Sequence, residues 1–263
     1  MTLPASFARD GFFPLGKNKP KHKRLLLSSE GLPNTGKSEF ALSAPGPGIF
    51  ICVDRGHEAM LDNPNPPSWR NADKYAFKTI EVPLATQAAQ PVYLEYWRKF
   101  YDEYKKALAN EDCRTVILDG DSDTWELQRL AEFGKLTQVP SIMYANVNAA
   151  RRAMIARAFD SGKIVISTNK LKDGYESKMS SDNKEVRVKT GGYERQGFPD
   201  HEYLFQLQIR HLYNRAKGEF GIEIMRCKSD TTLQGFQLWG EECNFQSLVQ
   251  TVYPNVPLSE WGF

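Results

Sequence analysis

The chain has 263 residues and a formal net charge of +2, enough for one large domain, or one domain with appendages, around a real core. So small a charge excludes nucleic-acid binding by bulk electrostatics and leaves that work to local patches. Cys52, Cys113, Cys227 and Cys243 lack Cys-x-x-Cys or histidine-ligand spacing, and no apolar run approaches a membrane span or a signal peptide, so zinc, membrane and secreted classes give way to an expected cytoplasmic protein with free thiols.

Residues 1–23 read as an irregular arm. Its prolines and glycines lead into "KNKPKHKR", a basic run that is either a solvated tail or a nucleic-acid contact. Phe7, Phe12 and Phe13 are expected to dock on the arm's own domain or on a neighbouring subunit.

Next, "RLLLSSE" reads as a buried strand and "KSEFALSA" as a short helix with Phe40 and Leu42 available for packing. Between them Gly31, Leu32, Pro33, Asn34, Thr35, Gly36, Lys37 and Ser38 match the phosphate-loop pattern G-x-x-x-x-G-K-[ST] without a substitution. A triphosphate tail is a dense anion that needs several donors converging on one spot. A glycine-bounded loop feeding a helix N-terminus supplies them as backbone N–H groups, and the helix dipole adds positive charge. Residues 31–39, ending at Glu39, are therefore expected to bind ATP, with Lys37 bridging the β and γ phosphates and the Ser38 hydroxyl on Mg²⁺.

"GIFICVD" (48–54) is a second buried strand, the proline-rich "DNPNPPSW" a loop, and "AFKTIEV" another strand. In "VYLEYWRKFYDEYKKALA" Tyr93, Trp97, Tyr101 and Tyr104 recur at helical spacing, the mark of a core face more than a base-stacking platform. Val116, Ile117 and Leu118 then form an apolar strand ending in Asp119, the order of a Walker B segment. A carboxylate there, at the end of a parallel strand adjacent to the phosphate loop, holds a magnesium-bound water. Asp121 and Asp123 are alternatives, and Asp123 suits capping of the following helix.

A further helix, "SIMYANVNAARRAMIARAFDSG", repeats apolar residues at Met143, Val147, Ala150, Met154 and Ala158 and stops at Gly162. "KIVIST" is a buried strand ending at Asn169, where a polar side chain faces the γ-phosphate side of the site. Alternation of strands and helices predicts an α/β protein with a mainly parallel sheet flanked by helices.

Residues 170–200 are polar, basic and long for a connection without structure. Lys170, Lys172, Lys178, Lys184, Arg187, Lys189 and Arg195 surround Tyr175, Tyr193 and Phe198. Cations that track phosphates, interleaved with rings that stack on bases, suit single-stranded nucleic acid; a hairpin without a ligand is the bland alternative. "YLFQLQIR" and "FGIEIM" alternate with period two and predict an antiparallel hairpin added to the sheet. "NFQSLVQTVY" is a short helix before a proline-punctuated tail.

This order of parts resembles the RecA-like P-loop ATPase core. It is most similar to compact phage-encoded RecA-like ATPases that act as single-strand annealing recombinases. The resemblance covers roughly residues 24–240 and rests on the phosphate loop, "TVILDGDSDTWEL", the helix leading to "IVISTNKLKDGYE", Asn169 and the segment from Lys170. It continues through "TGG" at Thr190, Gly191 and Gly192, through "YLFQLQIRHLY", and through the basic pair Arg226 and Lys228 followed by "GFQLWG". It implies a RecA-like ATPase domain over 24–240, between the arm (1–23) and a C-terminal helix and tail (241–263).

Further implications are ATP and Mg²⁺ as cofactors, DNA-stimulated ATP hydrolysis, and single-strand annealing by a ring or filament whose active site is shared between protomers. A host-cytoplasmic location and a single-stranded DNA-binding protein as partner go with them. The implied catalytic residues are Lys37, Glu58, Asp119, Asn169, Arg226 and Lys228, the last two reaching a neighbour's nucleotide; the metal falls to Ser38 and Asp119. The DNA set is Lys170, Lys172, Lys178, Lys184, Arg187, Lys189, Tyr193 and Arg195. One departure is "VDRGHEAML": Gly56 stands where the pattern has its glutamate, and Glu58 follows two residues later. A nucleotide kinase-type phosphotransferase and a non-hydrolysing, ATP-switched DNA-binding protein are the rival readings.

Overall fold

The computed structural model describes residues 23–53, 56–83, 88–137, 139–179 and 185–263. The arm to residue 22, with Phe7, Phe12 and Phe13, and Lys184 of the basic segment lie outside the described residues.

The chain runs β1 (Leu25–Gly31), α1 (Lys37–Ala41), β2 (Gly48–Cys52), α2 (Gly56–Leu61), β3 (Tyr75–Thr79), α3 (Gln90–Ala109), β4 (Thr115–Asp119) and α4 (Asp121–Phe133). It continues α5 (Tyr144–Asp160), β5 (Ile164–Met179), β6 (Glu185–Arg195), α6 (His201–Leu204), β7 (Leu207–Asn214), β8 (Glu219–Cys227), β9 (Gln237–Trp239), α7 (Phe245–Val252) and α8 (Leu258–Trp261). The sheet order is β3-β2-β4-β5-β1-β7-β8-β9, with β6 paired to β5. Strands β3 to β7 along that path are parallel, and β8 and β9 add antiparallel edges.

Period-two alternation sorts the central strands between two cores. Leu25, Leu27, Phe50, Ile117, Ile164 and Ile166 face one side, with Phe40 of α1, Phe245 and Leu248 of α7, and Trp261 of α8. Leu26, Ile51, Val116, Leu118 and Val165 face the other, with Tyr93, Phe100 and Tyr104 of α3, Trp125 of α4 and Met154 of α5. Burial on both faces is why these strands read as unbroken apolar runs. Truncating a fully buried ring such as Phe100 to alanine costs about 3–5 kcal/mol. All four cysteines are buried free thiols.

Four expectations are corrected. The Asp119 strand is not adjacent to the phosphate-loop strand, because β5 lies between β4 and β1. Strand β5 does not end at Asn169: it runs on to Met179, and its outer half pairs with β6 as an antiparallel ribbon, which is the hairpin alternative for this segment. The register shifts between Asp173 and Tyr175, opposite the Thr-Gly-Gly step, where Gly191 adopts φ +77°. That shift is a bulge, a local irregularity that polarity averaged over the segment cannot reveal.

Helix α5 begins at Tyr144, with Met143 exposed in the preceding turn. Its buried face is Val147, Arg151, Met154, Ile155 and Ala158, whereas Ala150 is exposed. An apolar count passes over Arg151, which lies inside because it has an ionic partner there. Asp123 does not cap α4; the N-cap is Gly120 in the left-handed region, and Asp123 pairs with Lys170 at 2.6 Å.

Candidate nucleotide-binding site

Strand β1 ends in the loop. A Cβ on Gly31 would stand 2.5 Å from Thr35 Oγ1 and 2.9 Å from His211 Cβ, so the loop can fold back over its own strand only with glycine there. Gly36 adopts φ +84°, a conformation that penalises a side chain. Thr35 Oγ1 donates to the Leu32 carbonyl at 2.8 Å. Lys37 Nζ donates to the carbonyls of Gly31 (3.1 Å) and Leu32 (2.7 Å), so the ammonium arcs back across the loop.

Opposite Lys37, Ser38 Oγ donates to Asp119 Oδ1 at 2.9 Å. Thr168 Oγ1 donates to the same oxygen at 2.7 Å and accepts the Gly120 N–H at 2.9 Å. Sheet register explains the meeting: Leu118 of β4 pairs with Ser167 of β5, which sets Asp119 beside Thr168. Thr168 was not singled out from sequence, although a hydroxyl just before the strand's amide residue was there to be noticed. A hydroxyl and a carboxylate are hard oxygen donors that suit Mg²⁺, which completes its shell with water and phosphate oxygens and needs no all-protein cage.

Asn169, 1 % exposed, donates from Nδ2 to the carbonyl and Oγ of Ser167 at 3.1 Å each. Together with loop residues 33–39, Asp119, Thr168, Lys170, Gln196 and Phe220, it lines a cavity of about 760 Å³. Glu39, in that wall, pairs with Arg70 at 3.2 Å; burial raises its carboxyl and Arg70 opposes the rise.

A buried ionic network supports this end of the sheet. Asp121 pairs with Arg151 of α5 and accepts hydrogen bonds from Thr124 and Ser167 at 2.7 Å each. Burial alone would raise the Asp121 carboxyl; the Arg151 guanidinium and the hydrogen bonds from Thr124 and Ser167 outweigh it and hold it at about 2. His201 packs face to face on Phe205, with ring centroids 3.8 Å apart. Burial, then Arg195, pushes its imidazole well below the ordinary range. His211 sits under the loop with Nε2 2.8 Å from Ser29 Oγ, and burial, then Lys37, lowers it to about 3.

The remaining expected residues lie elsewhere. Glu58 is exposed in the first turn of α2 and is not among the cavity-lining residues, although Met60, Asp62 and Asn63 from the same segment are. Arg226 and Lys228 line a second cavity of about 950 Å³ with Lys172, Tyr193, Arg195 and Arg210. Arg226 donates to the Glu202 carbonyl at 3.1 Å and lies over the Tyr203 ring; Lys228 donates to the Tyr203 carbonyl at 2.5 Å. Burial, then Arg226, lowers the Lys228 ammonium.

On the ribbon, Lys172 pairs with Glu194, Lys178 with Glu176 and Lys189 with Asp173. Tyr193 and Tyr175 are exposed, and Tyr175 stands across from Lys189. Arg195, at the ribbon's base, donates to the Phe198 carbonyl at 2.6 Å.

No protein-family profile and no curated protein matches the chain. Among solved structures it is similar to one described as the crystal structure of the RadB recombinase, with 12% identity, a TM-score of 0.43, and coverage of 83% of this chain and 87% of that one. The architecture is α/β: a mainly parallel sheet flanked by helices, with the phosphate-loop pattern after its first strand. Among the described residues no helix is long and apolar enough to cross a membrane.

Proposed function

We propose that the protein is a RecA-like ATPase of DNA recombination that binds single-stranded DNA and anneals strands as an oligomer. The observation that carries the nucleotide part is the Ser38–Asp119 hydrogen bond at the mouth of a full phosphate loop, which brings the two metal donors together beside an open cavity. In this reading the N–H groups of Leu32 and of residues 34–38, together with Lys37, hold the phosphates, while Ser38 and Asp119 would hold Mg²⁺ (Pro33 has no N–H to give). The metal would neutralise charge on the phosphate oxygens.

Asn169 reports the γ-phosphate to the ribbon, for it is the last residue of the buried run 164–169 of β5. Arg226 and Lys228 line a different cavity from their own loop, which suits delivery to a neighbouring protomer's nucleotide. A cation supplied in that way contributes about 10³–10⁵ in rate. Glu58 is assigned the polarising of the attacking water. Its exposure outside the cavity wall favours a second reading, in which nucleotide is bound as an assembly switch and hardly hydrolysed. The kinase alternative could use residues 170–200 as a lid; residues 170–179 are instead the outer half of β5, paired with β6.

Calorimetry with Mg-ATP, joined to turnover with and without oligothymidine, tests the proposal. Wild type should bind, and oligothymidine should raise its turnover; Lys37→Ala should bind no ATP, and Arg226→Ala should bind ATP but lose turnover. Normal ATP affinity in Lys37→Ala would defeat the loop assignment. Binding without turnover in wild type would select the switch.

A further inference from the structure

Resting on the nucleotide reading of the loop, we propose that Phe220, backed by Tyr213, is the platform on which the purine base of the bound triphosphate stacks. The sheet sets the direction. The metal donors lie on the β4–β5 side of β1, whereas β7 and β8 lie on its other side. A triphosphate whose γ end lies at Asp119 therefore carries its nucleoside toward β7 and β8.

Phe220 stands there. It lines the same cavity as the loop, and a Cβ added to Gly36 would meet its Cδ1 at 3.3 Å, so the ring lies against the loop backbone. Tyr213 is its cross-strand partner in the hairpin, with centroids 4.9 Å apart and planes 37° apart. The two rings are 43% and 45% exposed, an unusual use of aromatic surface beside a polar cleft. Each ring braces the other, so that a flat ligand meets a preformed face. A π-face stacks any base and reads no exocyclic group, so the platform adds affinity for nucleoside over bare phosphate.

The test compares Mg-ATP with inorganic tripolyphosphate, which has the phosphates and no base, on wild type, Phe220→Ala and Phe220→Trp. Wild type should hold ATP more tightly than tripolyphosphate. Phe220→Ala should weaken ATP by about tenfold or more while leaving tripolyphosphate unchanged, and Phe220→Trp should restore ATP. Retained tripolyphosphate binding also shows that the variant is folded. Equal ATP affinity in wild type and Phe220→Ala would overturn the platform and leave the loop reading standing, and a loss of oligothymidine binding instead would give the ring to nucleic acid. Failure of wild type to bind both anions would mark the loop reading itself as wrong.

Discussion

Strand β5 passes through two environments, and the contrast separates what the fold enforces from what it merely carries. Residues 164–169 are fully buried between β4 and β1 and deliver the Ser167 and Thr168 hydroxyls and the Asn169 Nδ2 to buried hydrogen-bond partners, while Asn169 Oδ1 is buried without one. Beyond Asn169 the same strand forms the ribbon with β6, where lysines 172, 178 and 189 are exposed and pair with carboxylates of the ribbon itself. In the first half a polar group is fixed because burial without a partner is costly. In the second, water competes for every charge, and the pairs do little to set structure.

The largest effect should come from opening the buried half. Arg151 is 1 % exposed and is the cation on Asp121, so Arg151→Ala leaves a carboxylate without its counter-charge. Breaking a buried pair costs about 3–5 kcal/mol, read as a lower urea midpoint at pH 7. An unchanged midpoint would place Asp121 in a wetter environment than the structure shows.

Acid should act next, through buried imidazoles that the ribbon lacks, since residues 170–195 contain no histidine. His201 and His211 both have depressed values in the folded state. Each is neutral when folded and takes up a proton on unfolding once pH falls below its ordinary 6.5, so stability is lost as pH decreases from there. Two such protons give a limiting slope of about 3 kcal/mol per pH unit, approached well below 6.5. Urea titrations between pH 6 and 5 should show that fall, and His211→Gln should halve it. A flat profile would mean that neither ring is held neutral.

The loop and the strand that ends in Asp119 were legible in the sequence because each pattern is local. Eight consecutive residues from Gly31 define the loop, and Asp119 closes an apolar strand. Tyr93 and Tyr104 declared the core face of α3 by spacing alone. Thr168 and Arg151 were not legible, since each is defined by partners about 30 to 50 residues away in sequence: Thr168 looks like an ordinary strand residue, and Arg151 breaks an apolar stripe until Asp121 is placed beside it. The ribbon was legible only as one of two readings, a hairpin beside an open connection, for another reason. Its composition resembles an open connection, and pairing across the Thr-Gly-Gly bulge depends on register more than on polarity. Phe220 was hidden as well, because an aromatic in an alternating strand reads as sheet surface until Gly36 is found against it.

The smallest effect should fall on the ribbon, and it decides whether that half of β5 has a DNA role. Lys172 and Lys189 already hold Glu194 and Asp173, so a phosphate must compete with a carboxylate for each ammonium. Removing one phosphate contact lowers the slope of log affinity against log salt by about 0.7 for a single strand. Lys189→Ala should show that reduction with oligothymidine and leave the unfolding midpoint in place. Asp173→Asn should do the reverse and strengthen binding at low salt, because it frees Lys189 for phosphate without removing a cation. A ribbon that tracks single strands responds to both changes with opposite signs; one that responds to neither is a structural appendage.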